Sequence, residues 1–128
     1  NIIDTGCFTL SWVSHKLLTQ MRKSSALLDA DEDEFEFAGL EAAEAKSINA
    51  PYVAEALMIF ECQLREVINL GDGPGSGNLI LGEITHIQID DDICLENGRI
   101  DFETLDPVGR LAGNWYATIR DKVEIQRG

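Results

Sequence analysis

Strict alternation dominates the middle of the chain. Met58, Phe60, Cys62 and Leu64 alternate with Ile59, Glu61, Gln63 and Arg65, the period-two pattern of a half-buried strand over 58–70. A second run, 78–90, carries the β-branched residues Ile80, Ile84, Thr85, Ile87 and Ile89. Between them GDGPGSG, residues 71–77, allows only a flexible turn, so the pattern predicts an antiparallel hairpin of unusual length. On this alternation Glu61 falls on the polar face, as surface decoration. Glu83 lies deeper in its strand, and if buried it needs a partner such as Arg65. The two carboxylates also stand as a candidate acid–base pair across the hairpin, a reading weaker than the structural one. Asn97-Gly98 marks another tight turn.

Upstream, Gly6 reads as a helix C-cap, residues 7–13 as a strand, and Ser14 as the N-cap of a helix. That helix places Leu17, Leu18 and Met21 on one stripe and ends near Ser24 and Ser25. Residues 26–39 read as irregular, with Phe35 and Phe37 pinning an acidic loop to the core. Pro51 interrupts any continuous helix across 40–56. Long hairpins with a few short helices predict a mainly β chain with helical insertions (α+β), an antiparallel β-barrel or sandwich. Residues 1–128 are expected to form a single domain. Asn1-Ile2-Ile3-Asp4 reads as the end of an element already under way. A barrel lacking its first strands would expose sheet edges, so a preceding segment or a partner chain is expected to cover them.

Composition narrows the partners. A formal charge of −13 argues against nucleic acid and against an anionic membrane surface. Six acids fall within the eight residues 29–36, DADEDEFE, which reads as a solvated loop; the glycine and terminal glutamate of a calcium-binding loop are missing. Cys7, Cys62 and Cys94 form no CxxC pair, which reads as reduced thiols in a cytoplasmic protein. Two histidines and no mixed Cys/His spacing predict no metal site.

Ligand chemistry concentrates in two places. Residues 105–116, LDPVGRLAGNWY, combine a proline, two glycines, an arginine, an asparagine and two aromatics. Glycine lets a backbone approach a ligand, arginine presents a fork of donors, and aromatics offer flat faces to a ring. Against this stand a surface ion pair for Arg110 and packing at a dimer contact for Trp115 and Tyr116. The second place is Arg22-Lys23-Ser24-Ser25-Ala26 at the end of the short helix. It reads equally as an anion site or as two cations that compensate the helix dipole.

Taken in order, FTLSWVSHKLL, SSA, DEFEFAGL, NAPYVAEA, LILGEITHIQID and GRIDFETLDPVGRLAGNWYA resemble the flavin reductase-like, FMN-binding split-barrel proteins. That group includes flavoredoxin and NAD(P)H:FMN oxidoreductases. The resemblance implies a split barrel, a homodimer, FMN as cofactor, and NADH or NADPH as hydride donor. It also implies early strands ahead of this chain that supply many flavin contacts. By position, Ser24, Ser25 and Ala26 match a loop bordering the flavin. Gly113 and Tyr116 match the glycine–aromatic signature near the ring, with Ala112 in place of its first glycine, and Arg110 precedes them as in the family. Some reductases carry a nicotinamide-contacting histidine where this chain has Gly77 and Asn78, and Trp12 replaces a usual asparagine. The implied activity is FMN-dependent hydride transfer from NAD(P)H with no side chain acting as acid or base. The alternative is a flavin- or ligand-binding split-barrel dimer without turnover.

Overall fold

The computed structural model describes residues 2–24 and 39–128. A short helix α1 (Ile2–Thr5) ends at Gly6, whose φ of 69° and N–H bond to the Ile2 carbonyl make it the expected cap. Strand β1 (Cys7–Ser11) follows, then a 3₁₀ turn (His15–Leu17) leading into α2 (Leu18–Ser24). Ser14 has the extended backbone of an N-cap, but its side chain caps nothing. Strands β2 (Ala42–Glu44) and β3 (Pro51–Val53) form a small hairpin, with Pro51 as the first residue of its strand, where a missing N–H is tolerated. The two long runs are β4 (Met58–Asn69) and β5 (Asn78–Ile89). A 3₁₀ turn (Asp91–Ile93), helix α3 (Phe102–Leu105), β6 (Val108–Arg110) and β7 (Tyr116–Thr118) complete the chain.

The main sheet is antiparallel with strand order β1-β4-β5. Its register slips twice along the long hairpin, so that Glu61 lies opposite His86 while Gln63 lies opposite Glu83. The two glutamates are therefore not cross-strand partners, because each extra residue in a bulge reassigns the pairing beyond it. Glu83 is exposed and pairs with Arg65, also exposed. Arg65 is thus the partner that a buried Glu83 would have needed, and the pair forms on the surface.

Both faces of the first half of β4 are covered. One face packs Met58 against Ile93 and Leu105, with Trp12, Leu57, Phe60 and Ile100 around them. Trp12 meets Phe60 edge to face at 5.7 Å. The other face lies under the β2–β3 hairpin. Alternate residues of β1 bind that hairpin through side chains: the Cys7 thiol donates to the Asn49 carbonyl (3.5 Å), and the Thr9 hydroxyl to the Pro51 carbonyl (2.6 Å). The Ser11 hydroxyl accepts the Val53 N–H at 3.1 Å.

Glu61 sits beneath the same hairpin with no solvent exposure, which corrects its expected place on the surface. Its carboxylate accepts the N–H groups of Lys46 (3.0 Å) and Ser47 (2.7 Å), the Ser47 hydroxyl (2.5 Å) and the Gln88 amide (2.7 Å). Burial alone would push this carboxyl up, but the bonds from Ser47, Lys46 and Gln88 together outweigh it and hold its pKa at about 2. Ionised and filled with donors, Glu61 is a structural anchor and has no lone pair to spare for acid–base work. Strand β5, at one edge of the sheet, exposes Leu79, Ile80, Leu81, Ile84, Ile87 and Ile89. Cys7, Cys62 and Cys94 are free thiols, the first two buried.

Two outcomes follow from this packing. Because the folded pKa of Glu61 lies below its ordinary value of 4.5, its contribution to stability is complete above that pH and is lost as pH falls towards about 2. Glu61→Gln sets an amide N–H against one of the donors; urea unfolding at pH 7 should show a loss of about 2 kcal/mol and a flatter fall between pH 4.5 and 2. A Cβ on Gly82 would lie 2.5 Å from the Phe8 ring. Gly82→Ala should therefore cost about 1–3 kcal/mol in the same assay, with part of the loss recovered when Phe8→Leu shortens the opposing side chain.

Candidate functional site

The glycine–aromatic run near the C-terminus is a small hairpin. Asp101 begins its frame: its carboxylate caps α3 by accepting the N–H groups of Glu103 and Thr104 and the Thr104 hydroxyl, bonds that hold it below the usual carboxylate range. Asp106 ends the helix in the left-handed conformation, φ 48°, and so turns the chain into β6. Arg120, just past β7, grips the Asp106 carboxylate from the far side through Nε (3.1 Å) and Nη2 (2.7 Å). That guanidinium holds Asp106 below its ordinary pKa and is itself raised. The base of the hairpin is tied to the β1–α2 connection by the His15 N–H on the Asp106 carbonyl (2.8 Å) and the Val108 N–H on the Val13 carbonyl (3.1 Å).

Within this frame Arg110 lies directly opposite Tyr116 in the β6–β7 ladder, so the two side chains share one face. The turn between them is closed by the Leu111 N–H on the Trp115 carbonyl (3.0 Å). Gly113 has φ 63°, which favours glycine, and open space where a Cβ would stand. Arg110 reaches the Gly113 carbonyl at 3.5 Å and makes no ion pair among the described residues. The Tyr116 hydroxyl is buried and finds no hydrogen-bond partner there. Trp115 stands 75% exposed.

The expected site residues thus divide. Arg110, Gly113 and Tyr116 come together on one hairpin. Ser24 ends helix α2, whereas Ser25 and Ala26 lie outside the described residues. The helix is nevertheless linked to the hairpin, because Nη2 of Arg22 donates to Oδ1 of Asn114 at 2.9 Å. Reading the sequence missed Asn114, whose only signal is an amide side chain inside a glycine-rich turn. Leu17 of the 3₁₀ turn and Met21 of α2 line an apolar cavity of about 150 Å³, together with Trp12, Leu40, Val53 and Ala56. Arg110, Gly113 and Tyr116 do not line it. Among the described residues no cluster of His, Cys, Asp and Glu could hold a metal ion, and no helix is long and apolar enough to cross a membrane.

Comparison with known proteins follows the same geometry. The family model described as "flavin reductase like domain" matches residues 1–105, ending ahead of the β6–β7 hairpin. An uncharacterised protein of Halalkalibacterium halodurans is 31% identical over 126 residues, covering 97% of this chain and 60% of its own length. The crystal structure of nitrilotriacetate monooxygenase component B from Bacillus cereus superposes with a TM-score of 0.88 at 31% identity, covering 98% of this chain and 62% of that one. A split-barrel-domain protein of Shewanella frigidimarina gives 0.86 at 28% identity, covering 100% and 64%. The chain therefore spans about three fifths of the length of the relatives it matches. It belongs to the flavin reductase-like family and has that family's split-barrel fold.

Proposed function

We propose that this protein binds FMN and, as a flavin reductase-type oxidoreductase, passes hydride from NADH or NADPH to it. The observation that carries the reading is the buried hydroxyl of Tyr116, which has no hydrogen-bond partner among the described residues. A polar group taken out of water without a bond costs the fold about 1–3 kcal/mol, which a bound polar ligand would offset. Its neighbours fit a flavin: Arg110, with no carboxylate partner among the described residues, brings a positive charge suited to a ring carbonyl or a phosphate. The open backbone of Gly113 allows close approach, and the exposed Trp115 offers an aromatic face. In this reading Arg110, Gly113 and Tyr116 hold the flavin, with the α2 end at Ser24 alongside. A bound FMN supplies the redox chemistry, so the side chains need only orient the reactants and exclude water.

Two features of the chain extend the proposal. The apolar, exposed edge strand β5 supports a homodimer in which a second copy covers it. Gly77, just ahead of β5, and Asn78, its first residue, stand where some reductases carry a histidine and favour a second reading: a flavin-binding dimer without turnover.

The full-length protein should purify yellow or take up added FMN, and anaerobic NADH or NADPH should bleach the flavin band. Retention of the band with both nucleotides selects the second reading, and a colourless protein that ignores FMN defeats both. Tyr116→Phe separates ligand binding from folding. It should leave thermal stability unchanged or raised, since the hydroxyl has no partner to lose, yet weaken FMN about ten-fold by fluorescence titration.

A further inference from the structure

We infer that Asn114 is a positioning residue, which docks the end of helix α2 on the β6–β7 hairpin so that both become walls of one site. The inference rests on the flavin-binding reading and adds to it a residue outside the expected set. Arg22 and Asn114 are 92 residues apart in sequence, and their 2.9 Å bond joins the helix ending at Ser24 to the turn that holds Gly113. Asn114 suits the task because its amide oxygen accepts a guanidinium N–H without cancelling the charge.

The contact is also placed where small movements matter. Helix α2 has 7 residues, too short to be stable alone, so its orientation depends on what it touches. Leu17 and Met21 turn one side of this segment to the apolar cavity, which has loose packing to fix a helix rotation. Arg22 supplies a directional tether on another side. The two readings of the Arg22-Lys23 pair are thereby sharpened: Arg22 reaches across to the hairpin rather than only offsetting its own helix dipole. Through Asn114 the helix end and the glycine turn move together, and the spacing between Ser24 and the Arg110–Tyr116 face is held.

The test uses the full-length protein with FMN as the probe. Asn114→Ala should raise the FMN dissociation constant about three- to ten-fold, while Asn114→Asp, whose carboxylate accepts the same N–H, should stay within about two-fold of wild type. Arg22→Met should weaken FMN at least as much. The tether is read independently of flavin by amide hydrogen exchange over residues 18–24, which should quicken in Asn114→Ala and not in Asn114→Asp. Unchanged exchange in Asn114→Ala, or equal losses in the Ala and Asp variants, would overturn the inference. Loss of FMN binding already in wild type defeats the flavin reading alone, and the exchange measurement still decides the tether.

Discussion

One buried negative charge sets the arrangement of the sheet. Glu61 lies at the point where β1, β4, β5 and the β2–β3 hairpin meet, and its four hydrogen bonds come from the hairpin loop and from β5. A carboxylate in that position is tolerable only while every donor is in place. The loop at Lys46 and Ser47 therefore cannot lift without stranding a charge, and the hairpin stays seated on β1. The Thr9 and Ser11 hydroxyls complete the same seam. With this face sealed by polar bonds, the opposite face of β4 is free to build the apolar core on Met58, Ile93 and Leu105.

The seam also explains which parts of the fold could be read along the chain. The two long strands, their glycine-rich turn and the cap at Gly6 are local, each specified by period or by turn chemistry within a few residues. Whether the Glu61 face meets water or protein depends on a short hairpin with weak periodicity, so alternation placed that glutamate outside. The bulges at Thr85 and Arg65 leave no mark in a hydrophobic pattern, yet they decide that Glu61 faces His86 and Gln63 faces Glu83. The site divides on the same principle. Arg110, Gly113 and Tyr116 lie within one turn and were legible together. The approach of α2 to that turn depends on a chain returning after 92 residues, and no local rule carries it.

Around the β6–β7 hairpin the cations are held in two ways. In a chain of 23 acids, Arg65, Arg120 and Lys122 each hold a carboxylate, on Glu83, Asp106 and Glu103. Arg110 is instead turned toward a backbone carbonyl and makes no ion pair among the described residues. The adjoining Tyr116 hydroxyl is buried without a bond, and Gly113 takes a left-handed conformation that costs a larger residue dearly. Of these only the hydroxyl, unpartnered among the described residues, is a loss to folding, and the hairpin's own contacts do not return it. A buried hydroxyl without a bond, beside an exposed arginine on a firmly framed turn, supports the proposal that this face meets a ligand. Asp101, Asp106 and Arg120 supply the firm frame, and the cost of the exposed chemistry is confined to the turn they support.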